Sequence, residues 1–282
     1  STVWVQDPFV LYRSYLWAIA IPGLIAIALI WLKPRTIYAL GMALMLIFGG
    51  LALERVLSLK NSGTAWADAA EKIDVSGPAN AVGRSRAYLN LGSYRLEMGM
   101  YDQAIQDFVK AEALGDTGGK ARFSIGMALQ LQKKHEQALQ SFDAAYQQGY
   151  TGQAVDFHRG ESSLALGDFK KAYYYFDSAL KKNIETMEDG DKFIQLLRLR
   201  HAEAAIGSGK YEVAIKGFEQ LLKNNPSNFV LKLNLGMALV GHGKVEEALH
   251  QFDQLIKTKP HHGVYYGRAI SNYRLGKIEE AL

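Results

Sequence analysis

The sequence predicts an all-α chain in which two membrane-spanning helices, within residues 15–57, lead into a solenoid of stacked helix pairs over residues 85–282. Three observations carry that prediction. Two uncharged apolar stretches of 18 residues follow one another near the start, from Tyr15 to Leu32 and from Thr36 to Leu53. An alanine then recurs as Ala104, Ala138, Ala172, Ala214, Ala248 and Ala281, at steps of 34, 34, 42, 34 and 33 residues. An aromatic follows four residues later at Phe108, Phe142, Phe176, Phe218 and Phe252, and a glycine stands twelve residues earlier at Gly92, Gly126, Gly160 and Gly236. A period near 34 with one insertion of about eight residues marks a repeat architecture, whose units bury their apolar faces only against their neighbours.

Residues 1–14 are read as a short segment outside the membrane on the exoplasmic side. The two apolar stretches approach the roughly 20 residues that a helix needs to cross a bilayer. Trp17, Trp31 and Tyr38 fall near their ends, where amphipathic rings sit at headgroup level. Pro22-Gly23 would kink a soluble helix but is tolerated in lipid. A buried soluble hairpin is the alternative. Lys33-Pro34-Arg35 joins the stretches and is too short for anything but a tight turn. Positive residues stay on the cytoplasmic side, which sends the repeats to the opposite face, the periplasm of a bacterial inner membrane or the lumen of the endoplasmic reticulum. Arg13, Arg55 and Lys60 on the far side count against that orientation. The apolar stretch lacks the basic start and small-residue cleavage site of a removable signal.

Residues 58–84, with Trp66, form a connector helix before the array, which holds about five and a half units. In each unit the small residues mark where two helix backbones approach, and the phenylalanine fills the wedge beside them. Turn residues agree: Gly99, Gly167, Gly209, Gly243 and Gly276 fall between paired helices, while Pro226 and Pro260 close units four and five. The chain opens without methionine and stops at Leu282 within the expected second helix of unit six, so it is read as a piece cut at both ends.

The glycine, alanine and aromatic positions resemble the tetratricopeptide repeat (TPR). The resemblance implies a right-handed superhelix whose partners lie against the first helix of each pair, at unit positions 2, 5, 9 and 12. These hold Arg86, Leu89, Ser93 and Leu96 in unit one; Lys120, Phe123, Met127 and Gln130 in unit two; and Ala154, Phe157, Glu161 and Leu164 in unit three. Unit four supplies Leu196, Leu199, Glu203 and Ile206, and unit five supplies Val230, Leu233, Met237 and Val240. The expected partner contacts are Leu89, Phe123, Met127, Phe157, Leu199, Leu233 and Met237, a mostly apolar lining suited to a protein or peptide segment with apolar anchors. The alternative is that the superhelical twist buries these side chains between units. Leu89, Phe123 and Phe157 stand where a clamp for C-terminal carboxylates would need polar groups, which argues against a chaperone-tail receptor.

A second resemblance covers residues 1–73. The segment Gln6 to Trp17 is similar to a motif of roughly Glu-His-Arg-x-Tyr-Leu-Pro that precedes a late membrane helix in polytopic proteins with C-terminal TPRs, the transmembrane-and-TPR O-mannosyltransferases and bacterial relatives of the GT-C type. Arg13, Tyr15 and Leu16 match it, whereas Leu11, Tyr12 and Trp17 depart from it. Ser58 to Ala69, around Trp66, resembles their connector. The resemblance implies the C-terminal part of a glycosyltransferase that uses a polyprenyl-phosphate sugar, with its catalytic acid in an earlier loop. Arg13, with Tyr12 or Tyr15, is then the candidate grip on the lipid phosphate, since a guanidinium can bind phosphate bidentately. The alternative role for these three is interfacial anchoring. Asp7 reads as a turn residue before Pro8.

Composition excludes other classes. Against 32 Lys and Arg stand 28 Asp and Glu, and no block of five or six like charges occurs, so nucleic acid is not an expected partner. There is no cysteine, which rules out disulfides without fixing the compartment. Gly115 to Lys120 imitates a phosphate loop but has Ala121 where a hydroxyl belongs, and reads as an inter-repeat turn. Glu185 to Asp191 lacks the alternating ligands of a calcium loop and reads as an exposed insertion. His261-His262 reads as a surface turn without further metal ligands. Tyr173-Tyr174-Tyr175-Phe176 winds round a helix and reads as packing. Neither cofactor nor metal is expected. The functional expectation is a membrane-anchored solenoid that recruits or positions a protein partner or acceptor beside a glycosyltransferase site; the alternative is a non-enzymatic scaffold for envelope assembly, secretion or pilus biogenesis.

Overall fold

The computed structural model describes residues 32–58, 60–74, 83–182 and 192–281, and among them all regular structure is α-helical, in 14 helices. The chain divides into two compact units at Ala65 and Trp66.

In the first unit, helix α1 runs from Pro34 to Ser58. Proline opens it, where the missing N–H has no intrahelical partner to lose. Its stretch Pro34–Glu54 is long and apolar enough to cross a membrane, and none of that stretch is buried against protein. Leu46, Phe48 and Leu53 point outward, so the helix is apolar around its circumference and calls for apolar surroundings. Of the two expected spans, this helix contains Thr36–Leu53; the other, Tyr15–Leu32, lies outside the described residues but for Leu32. One candidate span, not two, therefore stands among the described residues.

Helix α2 (Ser62–Glu71) is capped by Asn61, whose side chain accepts from Thr64 N at 2.8 Å while Thr64 Oγ1 accepts from Asn61 N at 3.2 Å. It is shorter than the expected connector over 58–84, of which residues 75–82 lie outside the described set. Trp66, Ala69, Ala70 and Ile73 pack on Ala87, Tyr88 and Leu91 of the first repeat. A solenoid needs its terminal apolar face covered, and this helix does so at one end.

The second unit is the predicted array. Its pairs are α3 (Arg84–Glu97) with α4 (Tyr101–Ala113), α5 (Lys120–Leu131) with α6 (His135–Gln147), and α7 (Gln153–Ala165) with α8 (Phe169–Lys181). They continue as α9 (Lys192–Gly207) with α10 (Tyr211–Asn224), α11 (Phe229–His242) with α12 (Val245–Thr258), and α13 (His262–Arg274) with α14 (Ile278–Ala281). The expected insertion at Glu185–Asp191 lies outside the described residues.

Phe108, Phe142, Phe176, Phe218 and Phe252 are fully buried, each worth about 1.5–3 kcal/mol in removed apolar surface. A Cβ on Gly126 or Gly160 would stand 2.5 Å from the ring of Phe142 or Phe176, which is why those positions hold glycine. Unit four meets the same demand differently. Ala202 replaces the glycine, and Gly217 on the facing helix supplies the space, its would-be Cβ 3.0 Å from that of Ala202. Between paired helices Gly99, Gly167, Gly209, Gly243 and Gly276 adopt left-handed backbone, and in unit two Lys133 takes the same conformation at φ 61.

Residues 114–119 are the expected inter-repeat turn, in which the Asp116 carboxylate accepts from Ala121 N at the start of α5. His261 caps α13 by accepting from Gly263 N at 3.1 Å. In the aromatic run, Phe176 is buried, Tyr173 stacks on His201 and Tyr175 lies under Arg159, but Tyr174 is exposed. One turn of helix carries four rings round the axis, and neighbouring helices cover only three of its sides.

Candidate functional site

The first helices α3, α5, α7, α9, α11 and α13 stand in sequence, each touching the next. Their unit positions 2, 5, 9 and 12 carry the expected partner contacts. The structure separates those contacts into two groups. Leu89, Phe123 and Phe157 are each 8% exposed and belong to the cores between units. Phe123 packs on Tyr150 at 4.7 Å and Phe142 at 5.6 Å, and Phe157 on Phe193 at 5.1 Å and Phe176 at 5.9 Å. Position 5 points at the neighbouring unit, so a large ring there is taken up by inter-unit packing and has little surface left for a partner. Met127, Leu199, Leu233 and Met237 are half-buried, with one side on the core and the other free.

Position 2 is more open. Leu196 is 38% exposed and Val230 is 55% exposed; Tyr266 and Tyr273, at positions 5 and 12 of unit six, reach 62% and 70%, with no following unit among the described residues to cover them. Unit six also presents Ile270 beside a cleft of about 340 Å³ lined by Tyr266, Ala269, Ile270, Tyr273, Ile278 and Ala281. The first helices of units four and five thus share an open apolar position. In units one and two position 2 holds the exposed Arg86 and Lys120, and the half-buried Asn90, Ser124 and Gln130 occupy neighbouring places.

A charged group separates these halves. Arg200 Nε lies 2.9 Å from Glu161 Oε1, and its Nη1 donates to Glu203 Oε2 at 2.9 Å. The contact with Glu161 is an ion pair without hydrogen-bond alignment. Burial pushes the Glu161 carboxyl above its ordinary range, against the pull of Arg200. The position-9 spacing identified Glu161 and Glu203, but Arg200 falls at unit position 6; the signal that could have found it is its place one helical turn from Leu196 on the same face.

Beneath the face, His158 sits among the rings of Phe123, Phe142 and Phe157. Gln130 Nε2 donates to His158 O at 3.2 Å and to Ser162 Oγ at 3.0 Å, which turns Gln130 Oε1 toward His158 Nδ1 at 2.8 Å. The imidazole is neutral with Nδ1 as donor, and burial lowers its pKa to about 4. No group of three or more His, Cys, Asp or Glu side chains poised to hold a metal ion occurs among the described residues. Arg13, Tyr12 and Tyr15, the expected lipid-phosphate contacts, lie outside the described residues.

The tetratricopeptide repeat family model matches residues 89–154, 199–239 and 233–282, together a little over half the chain. No curated protein matches the chain. Among solved structures, YrrB, described as a TPR protein with an unusual peptide-binding site, is 17% identical with a TM-score of 0.59, covering 76% of this chain and 99% of its own. A TPR protein from Parabacteroides merdae ATCC 43184 is 18% identical at a TM-score of 0.50, covering 80% and 85%. A MamA RS-1 double mutant is 14% identical at 0.52, covering 62% and 94%. At such identities the likeness is one of fold.

Proposed function

Because the chain belongs to the tetratricopeptide-repeat family, we propose that it is a non-catalytic recruiter, whose first helices hold a segment of another polypeptide beside a membrane. The observation that carries the reading is the apolar stretch of units four and five, where Leu196 and Val230 stay open on first helices that both have a following unit packed against them. An apolar segment laid along these side chains would bury them. The description of YrrB as peptide-binding is consistent with this use of the fold. Leu196→Asp or Val230→Asp should weaken binding of a peptide selected on the whole chain by tenfold or more, about 1.4 kcal/mol, while Tyr174→Asp on α8 should leave it unchanged. Equal binding by all three variants would refute the groove.

The membrane part of the proposal rests on α1, whose apolar circumference suits lipid. A chain starting at Lys33 should float with liposomes and one starting at Lys60 should not; flotation of both, or of neither, would remove the anchoring role from α1. With Lys33 and Arg35 at its start, the positive-inside rule puts the array on the exoplasmic face, the periplasm in a bacterium.

A second reading follows from the order of the parts. In this chain an apolar helix is followed by the Trp66 helix and then the repeats, an order like the spans, Trp connector and TPRs of the GT-C proteins that residues 1–73 resemble. On that reading the array offers an acceptor polypeptide to a lipid-linked sugar transferase and Arg13 holds the lipid phosphate. Arg13→Ala in the intact protein should then abolish glycan transfer, and undiminished transfer would remove the role.

A further inference from the structure

We infer that the polypeptide taken by this groove carries a Lys or Arg beside its apolar anchors, and that this cation enters between Glu161 and Glu203. The inference rests on the groove reading above and adds the charge of the partner to it. Along the first helices the surface changes in order, from Arg86 and Lys120, through Glu161, Arg200 and Glu203, to Leu196, Val230 and the tyrosines of unit six.

At the centre two carboxylates share one guanidinium, so the group keeps a net negative charge. Their side chains are 26% and 25% exposed, so the charge is neither sealed in the core nor fully dissolved in water. Arg200 meets each carboxylate through one oxygen, Glu161 Oε1 and Glu203 Oε2, which leaves the second oxygen of each for a further donor. Burial makes the Glu161 charge costly, and an arriving cation would offset that cost. An acidic side chain at the same place would meet two like charges in a partly desolvated site and be rejected. The apolar face begins next to this group, since Leu196 lies one turn from Arg200 on α9. Complementarity therefore asks for a cation adjoining aliphatic or aromatic anchors.

The test uses the whole chain in detergent micelles and a display library of random dodecapeptides, with the helical melting curve of each variant checked by circular dichroism. The wild-type chain should enrich peptides holding two or more Leu, Ile, Phe or Tyr residues and a Lys or Arg at a fixed offset from them. The double variant Glu161→Gln/Glu203→Gln should keep the apolar enrichment and lose the basic preference by about tenfold. Arg200→Gln should strengthen that preference by a similar factor, a gain that a merely destabilised groove cannot give. Apolar enrichment with no basic preference, or a preference untouched by the carboxylate variants, would overturn this inference and leave the groove standing. Selection of acidic peptides would overturn it too. No enrichment at all by the wild-type chain would overturn both.

Discussion

Lys133 occupies a conformation that five other units give to glycine, at φ 61 where an L side chain crowds its own backbone. Lys133→Gly should therefore stabilise the chain by about 1 kcal/mol, seen as a higher urea midpoint, whereas Gly167→Ala should cost about as much. His158 makes a second residue-scale prediction. Its pKa falls from 6.5 to about 4 because burial among aromatic rings disfavours the imidazolium. The unfolded chain thus takes up the proton first. The neutral imidazole's contribution is complete above about pH 6.5 and is lost as pH falls toward 4, by roughly 3 kcal/mol across the window. Urea titrations at pH 7 and 4.5 should show this loss in the wild-type chain and a smaller one in His158→Gln, which keeps a donor for Gln130. An equal loss in both would assign the acid sensitivity to other groups.

Among the elements, the repeat was legible because two backbones can approach only where a small residue faces the phenylalanine, and that requirement prints itself on the sequence every 34 residues. Gly126→Ala should accordingly destabilise the array by about 1–3 kcal/mol, although helix propensity alone would favour alanine by about 1 kcal/mol. A stabilised variant, measured by denaturant midpoint, would mean that the Phe142 ring gives way. Unit four hid its glycine by moving the small residue across to Gly217, which a pattern anchored on the first helix cannot see. The groove was legible in part for a related reason. Period fixes which face of a helix a residue occupies, so Met127, Leu199, Leu233 and Met237 share the half-buried face of the first helices. How far the next unit leans over that face is a tertiary fact, and it closes Leu89, Phe123 and Phe157. Arg200 was missed because only four positions per unit were counted.

At the scale of the whole molecule, two units with different solvent demands share one chain. Helix α1 is apolar on every side and unburied, while the array buries its repeat phenylalanines and carries its charges outward. An anchor of this kind does little for the stability of a solenoid, whose energy is summed between neighbouring units. On the proposed reading, anchoring by α1 confines the array to a membrane surface, where a partner's effective concentration rises without any new contact.

That the first-helix face holds a polypeptide is tested most directly by photo-crosslinking. A benzophenone amino acid replaces Val230 on α11 or Tyr174 on α8, and the library-selected peptide is added to the whole chain. Crosslinks from position 230 and none from position 174 are the predicted result; crosslinks from position 174 alone would contradict it.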